Sequence, residues 1–307
     1  MNKLSKKVDF SILVARASTQ DGARIMAVLE SFERQIGDFS TEIILVDRLG
    51  GAINEEIRRR FPCVRVMNCG ATEEIPAMRA RALSLSSGTY VIVTEDHCIA
   101  PVNWLQSFDD TIRRLGRVDI VGGSVSNGVY ETKLDWATFL CEYASLVPPI
   151  FTGFNSSIAG MNVAYRRAIF ANVDEDKLTK GFWETTLHPE FARAGFTMIS
   201  DNAIQIEHCK RFDFGFFVKQ RFMYSRYFAG TRYEREERFK RFVFTLATPV
   251  LPMILLFRLL LISYEKKAIR SYVFGAAFYL VIFFLVWAAG EAVGYVLGPG
   301  RALEKIE

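Results

Sequence analysis

Glu95-Asp96-His97 places two carboxylates and an imidazole in consecutive positions, directly after the apolar run YVIVT. On a β-strand side chains alternate faces, so Glu95 and His97 are expected to point one way and Asp96 the other. Carboxylate and imidazole together suit Mn2+ and related ions, whereas Mg2+ prefers oxygen ligands alone. A second imidazole, His208, closes another strand-like segment, NAIQIEH. The chain has three histidines, and two of them end such segments. A lone histidine is ordinarily a satisfied core or surface residue. Position at a strand end is what distinguishes these two.

The elements that must hold these groups follow from hydrophobic periodicity. Residues 8–16, VDFSILVAR, read as a short apolar strand. Ile25, Met26, Leu29 and Phe32 recur at helical spacing within 20–35. EIILVDRLGG is a second buried strand ending in Asp47 and a Gly-Gly turn, and CVRVMNCG a third. IPAMRARALSLSSG is a helix that stops at a serine pair and Gly88, and TYVIVTED is a fourth strand. Near-continuous apolar strands alternating with helices imply an α/β domain, a mainly parallel sheet with helices on both faces. Ligands of such sheets bind outside the carboxyl ends of the strands. Ala15–Ser18, Asp47–Arg48 and Glu95–His97 fall there, so they are expected to line one site.

Familiar phosphate and hydrolase signatures do not supply that site. GxGxxG does not follow the first strand, and GxxxxGK[ST], HExxH and GxSxG are missing. The net charge of +4 is too small to imply a nucleic-acid partner. Five cysteines without a CxxC pair read as reduced thiols in a reducing compartment. MNKLSKK followed by a short apolar stretch is not a secretory signal, so most of the chain is expected to be cytoplasmic and the Asn155 sequon unused.

The run MRARALSLSSGTYVIVTEDHCIAPVNWL resembles the core of family 2 glycosyltransferases, which have the GT-A fold. In that family an arginine-bearing helix ends in a Gly-x-Tyr turn, and an apolar strand then ends in Asp-x-Asp before a proline and a tryptophan. Arg79, Gly88, Tyr90, Pro101 and Trp104 match, and Glu95 and His97 occupy the two acidic positions. The resemblance covers roughly residues 8–230. It implies a nucleotide-sugar donor, a divalent metal (Mn2+ or Mg2+) held by Glu95 and His97 with His208 completing the shell, and Arg79 near the diphosphate. LVDRLGG stands where the family has Val-Asp-Asp-Gly-Ser, so Asp47 matches while Arg48 replaces the second aspartate. AGMNVAYRRAIF resembles the loop that carries Asn162, with Gly160, Arg166 and Arg167 in register. GFWETTLHPEFARAG puts Glu184 on the catalytic-base position, with Trp183 in place of the preceding acid, and His188 one turn further on. Donor contacts are thus expected from Ala15, Ser18, Asp47, Arg48, Arg79, Glu95, Asp96 and Asn162. By resemblance the reaction inverts the anomeric carbon.

Tyr272–Gly290 is a run of nineteen uncharged residues. As a helix it would span roughly 28 Å, close to a hydrocarbon core. Phe242–Phe257 is sixteen uncharged residues followed by Arg258, with Pro249 and Pro252 inside the run. That first segment can span or re-enter. Before it, Lys210–Arg241 holds ten Lys/Arg, four Asp/Glu and ten aromatics. Aromatics interleaved with cations suit a helix in the headgroup layer; single-stranded nucleic-acid stacking is the rival, set aside because hydrophobic segments follow at once. Trp183, Gln220, Arg221 and Tyr224 are expected at the acceptor and membrane interface. Gln220 opens a would-be QxxRW motif, but Met223 and Tyr224 stand where Arg and Trp belong, which argues for transfer of one sugar rather than a polymer. Arg232, Arg235, Arg238, Lys240 and Arg241 argue for cytoplasm on their side, while Lys266, Lys267 and Arg270 fit a plain hairpin poorly.

The sequence therefore divides into a GT-A catalytic domain (1–210), an amphipathic interfacial segment (211–241), and a membrane hairpin (242–263 and 272–297) with a short tail to 307. The expected function is a membrane-anchored, metal-dependent glycosyltransferase with its catalytic domain in the cytoplasm, acting on a lipid-linked or membrane-proximal acceptor. The alternative is a catalytically silent glycosyltransferase-like scaffold that binds a nucleotide or lipid.

Overall fold

A computed structural model describes residues 9–17, 22–116, 118–232 and 237–306. In chain order the elements are β1 (Phe10–Arg16), α1 (Gly22–Glu33), β2 (Thr41–Asp47), α2 (Ile53–Arg60), β3 (Val64–Asn68), α3 (Ile75–Leu85), β4 (Tyr90–Glu95), β5 (Cys98–Ile99), α4 (Trp104–Leu115), β6 (Ile120–Asn127), α5 (Lys133–Tyr143), β7 (Gly153–Phe154), β8 (Val163–Arg166), α6 (Glu175–Gly181), α7 (Glu184–Arg193), β9 (Met198–His208), α8 (Phe214–Arg232), α9 (Arg238–Ala247), α10 (Leu251–Glu265), α11 (Lys267–Gly275) and α12 (Ala277–Leu297). They fall into two compact units. One comprises residues 1–126 and 146–209, the other 127–145 and 210–307.

The first unit is a mixed sheet in the order β3-β2-β1-β4-β8-β6-β9-β5, with β7 pairing beside β9. Its parallel pairings join β3, β2, β1 and β4, while β8 runs antiparallel to both β4 and β6. The apolar strands are buried on both faces, as a doubly covered sheet requires. Ile25, Met26, Leu29 and Phe32 of α1 are buried together. Pro76 sits in the first turn of α3, where its missing amide costs nothing. That helix stops where Ser86 bonds back to the Leu83 carbonyl through both its amide and its hydroxyl. The core beneath α3 and α7 is built from Leu13, Ile44, Met78, Val91, Val93 and Phe191.

Register decides the site. Arg16 pairs across from Asp47, and Ala15 from Glu95. The carboxyl ends of β1, β2 and β4 are therefore level.

The second unit is helical. α8 buries Phe217, Gln220, Arg221, Ser225 and Ala229 as one stripe. That stripe packs along α12: Phe217 stands edge-on to Phe283 at 4.6 Å, and Gly290 and Gly294 bring α12 onto Ser225 and Ala229. A Cβ at Gly290 would lie 2.5 Å from the Phe222 carbonyl oxygen, so glycine is what permits the approach. Residues 211–241 are thus not simply a surface-lying segment, because one face of α8 is core. α5 belongs here as well, with Trp136 stacked on Tyr272 at 3.6 Å. Phe239–Glu265 and Ala277–Leu297 are both long and apolar enough to cross a membrane, and they support membrane association. Pro249 and Pro252 fall in first turns, where the helix tolerates them, at the short 3-10 join between α9 and α10.

Candidate active site

β4 delivers Glu95 to the edge of the sheet, and the chain turns immediately, so Asp96 and His97 lie between β4 and β5. β5 pairs antiparallel with the end of β9, Cys98 opposite His208. This two-residue pairing carries His208 to the same place. His97 Nε2 lies 3.0 Å from Glu95 Oε2 and 3.1 Å from His208 Nε2. His97 Nδ1 lies 2.7 Å from Asp96 Oδ1. Glu95, His97 and Cys98 also offer ligand atoms within 4.8 Å of one another.

Asp96 does not point away from His97, as strand alternation predicted. The turn brings its carboxylate back to the imidazole, and its other oxygen accepts from the Ala17 amide at 3.1 Å. A carboxylate on Nδ1 fixes the tautomer that presents Nε2 outward, the usual outer support of a ligating histidine. Burial alone would raise the Glu95 pKa. The hydrogen bond and charge of His97, followed by the charges of Arg79 and His208, hold it well below the usual carboxylate range. Burial would lower the His97 pKa, but its hydrogen bonds to Asp96 and Glu95 raise it. A carboxylate kept ionised beside two converging imidazole nitrogens is a donor set that fits a divalent cation, and the Glu95, His97, Cys98 cluster can chelate one.

Arg79 reaches this cluster from α3. It is buried, with Nη1 donating to the Phe182 carbonyl at 3.1 Å and Nη2 lying 3.5 Å from Glu95 Oε1. Its guanidinium lies over the Trp183 ring at 4.9 Å, and its Nε has no hydrogen-bond partner. Trp183, expected at an acceptor interface, is therefore the platform of Arg79. Glu184 opens α7, half-buried. Gly160 makes room for it, because a Cβ there would lie 2.2 Å from Glu184 Oε2. Tyr165, on β8, is buried, and that burial, with the charge of Glu184, pushes its hydroxyl pKa well up, Arg79 opposing. Its hydroxyl lies 2.8 Å from His188 Nε2. The structure thus gathers Glu95, His97, His208, Arg79, Trp183 and Glu184 within the first unit.

Other expected residues lie differently. Asp47 is fully buried and accepts from Arg16 at 3.0 Å, from the Leu49 and Gly50 amides, and from Asn54 at 2.6 Å. Those bonds shape the turn after β2 and occupy both carboxylate oxygens. Arg48 donates to the carbonyls of Ala17 and Glu73. Asn162 is buried, with its amide donating to the Ser124 and Ile204 carbonyls while Trp104 Nε1 donates to its Oδ1 at 2.8 Å. It ties β6, β9 and α4 together. Ala15 is half-buried at the strand end, and Ser18 lies outside the described residues, as does Arg235. Gln220 and Arg221 are buried in the second unit, where Arg221 pairs with Glu142 at 3.3 Å and stacks over Trp287 at 4.0 Å. Tyr224 is half-buried on the same helix. Gln220 and Arg221 thus belong to the buried stripe of α8.

Sequence reasoning passed over Cys98, Asp96 as an orienting group, and the Tyr165–His188 pair. His188 is buried. The cue for Cys98 was adjacency: a turn after Glu95 defeats strand alternation and lets neighbours converge. Nothing local marked Tyr165, whose partner lies twenty-three residues away.

No protein-family model matches the chain, and no curated protein matches it. Among solved structures it is similar to GalNAc-T7 in complex with UDP, GalNAc and Mn2+, at 15% identity and a TM-score of 0.51, covering 67% of this chain and 44% of that one. It is also similar to residues 1–349 of S. aureus TarS in complex with UDP-GlcNAc, at 15% identity and a TM-score of 0.46, covering 67% of this chain and 60% of that one. The chain thus spans less than two thirds of either. The first likeness is one of fold, and it makes the sheet and its flanking helices GT-A-like.

Proposed function

We propose that the protein is a metal-dependent family 2-type glycosyltransferase that moves one sugar from a nucleotide-sugar donor to a lipid-linked or membrane-proximal acceptor, with inversion. The observation that carries this reading is the convergence of Glu95, His97 and His208 at the carboxyl end of β4, with the buried Arg79 alongside. Ligands of such sheets bind outside the carboxyl ends of the strands, which supports that edge as the nucleotide-sugar site, and the GT-A-like GalNAc-T7 structure was solved with UDP, GalNAc and Mn2+. On this reading Glu95, His97 and His208 hold the cation, with Cys98 adjacent. When bound, a divalent cation neutralises charge that grows on a departing diphosphate.

The chain's own residues divide the remaining work. Arg79 is held rigidly by Phe182 and Trp183, so its guanidinium is preorganised toward the leaving group. Glu184 takes the proton from the attacking hydroxyl as general base. Where the acceptor is a phosphate no base is needed, and Glu184 positions it instead. Membrane association through the second unit brings the enzyme to a lipid-borne acceptor, with the catalytic domain on the cytoplasmic side.

The test is nucleoside diphosphate release by the full chain in lipid, across a panel of nucleotide sugars beginning with UDP-sugars, with Mn2+ or Mg2+. Activity abolished in both Glu95→Ala and His97→Ala is expected. Full activity in both removes the metal site. Glu184→Gln should bind donor normally and transfer poorly. Donor binding without release from any member of the panel would favour the silent scaffold, for which the structural use of Asp47 and Asn162 speaks.

A further inference from the structure

The second unit raises a physical difficulty for a helix hairpin across a bilayer. α8 and α12 run in the same direction along each other, from Phe217 beside Phe283, through Ser225 beside Gly290 and Ala229 beside Gly294, to Gly230 beside Pro299. Whatever depth α12 traverses, α8 traverses too. Yet α8 carries Lys219, Arg221, Arg226 and Arg232 in nineteen residues. Arg221 sits over Trp287, midway along α12, and is paired with Glu142 of α5. Glu291, also buried, binds Trp287 Nε1 at 2.6 Å and the Tyr295 hydroxyl at 3.1 Å. A crossing α12 would therefore carry an Arg–Glu pair, a further glutamate and two charged helices to the bilayer midplane. Each charge there costs about 2.5–3.5 kcal/mol even on insertion scales.

Two further features point the same way. Cations flank α12 at both ends: Lys266, Lys267 and Arg270 before it, and Arg232, Arg241 and Arg301 around its other end, where Arg241 bonds the Tyr295 carbonyl. In a spanning hairpin the three cations before α12 would face the side opposite the more basic end, which the positive-inside tendency disfavours. The apolar exposure is concentrated on α9–α10 and on the outer side of α12. Phe242, Leu246, Met253 and Phe257 on the former, and Phe278 and Leu285 on the latter, are each more than half exposed.

We infer that the second unit is a one-leaflet module: α12 lies along the surface of an anionic bilayer, with α9–α10 and its outer face in the acyl layer, α8 and α5 on the water side, and the basic residues at both ends on lipid headgroups. This rests on the membrane association in the proposed function and specifies its form. Amphipathic assemblies of this kind bury apolar area in the interface and add electrostatic attraction to anionic lipids.

Impermeant maleimide labelling of the full chain tests it. Ala268→Cys and Lys305→Cys, both at exposed positions beyond opposite ends of α12, are expressed separately and labelled in sealed membrane vesicles of each orientation. Labelled peptides are read by mass spectrometry, so the native cysteines remain. Both sites should react in the same vesicle orientation and be protected in the other. Reaction from opposite orientations overturns the one-leaflet arrangement while leaving the membrane anchor intact. Protein that is washed from the vesicles at alkaline pH and fails to float with anionic liposomes overturns the membrane reading, and this inference with it.

Discussion

His188 shows how one buried group converts into a measurable property. Burial lowers its pKa from the ordinary 6.5 to about 4, so it is neutral in the fold, with its Nε2 hydrogen-bonded to the Tyr165 hydroxyl. A base whose folded pKa is depressed binds protons more readily in the unfolded chain, so its contribution to stability is full above pH 6.5 and is lost as pH falls toward 4. The two values imply a loss of about 2 kcal/mol by pH 5. His97 shifts in the opposite direction, so the wild-type curve alone mixes the two. Urea midpoints of wild type and His188→Gln at pH 7.5 and 5 separate them, and the variant should lose less by about that amount. Arg79 gives the second residue-scale expectation. Its role depends on a planar fork held by Phe182, Glu95 and the Trp183 ring, not on charge alone. Arg79→Lys should keep the fold and lower nucleoside diphosphate release by roughly tenfold to a hundredfold. Unchanged release would mean that a point charge suffices.

At the scale of elements, the site is a consequence of where strands stop. β1, β2 and β4 end level because their register is fixed by buried apolar faces, and a slip of one residue would turn every side chain to the other face. That much was legible in the sequence: FSILVAR, TEIILVD and YVIVTE announce themselves by composition. So did the helix that carries Arg79. The tertiary use of polar residues was not legible. Asp47 and Asn162 look like ligand-binding residues in a motif, yet Asp47 is engaged by Arg16, Asn54 and the amides of its own turn, and Asn162 by distant carbonyls and Trp104. Likewise the aromatic-basic stripe of α8 suggested a membrane surface, and only the facing glycines of α12 reveal that its buried side is a helix contact. The loop before β8 offers the test at this scale. Gly160 lets Glu184, the first residue of α7, lie against the backbone, and a Cβ would meet its carboxylate at 2.2 Å. Gly160→Ala should displace that carboxylate, leaving donor binding intact and cutting transfer by roughly tenfold or more, since small misplacements of a catalytic group are costly. Equal loss of both would indicate collapse of the loop instead.

For the whole molecule, chain order and spatial order disagree in one place. The chain leaves the sheet unit at residue 126 and returns at 146, and the excursion contributes α5 to the helical unit. Ala137, Phe139 and Leu140 of α5 are buried there, and Trp136 stacks on Tyr272. A cut after residue 209, one residue short of the 1–210 boundary expected from the sequence, therefore removes the helices that cover α5 and leaves an apolar face bare. Exposed contiguous apolar surface drives association. The truncated chain 1–209 should accordingly be recovered as oligomers or only with detergent. A second version, in which residues 127–145 are also replaced by a short Gly-Ser linker, should elute as a monomer on size exclusion. It should also bind Mn2+ as the full chain does, because Glu95, His97, Cys98, His208, Arg79 and Glu184 all lie within the retained segments. Identical elution of the two versions would show that α5 is not held by the helical unit. Monomeric elution with loss of Mn2+ binding would show that the metal cluster depends on helices outside the sheet, which the short distances among Glu95, His97 and His208 give no reason to expect.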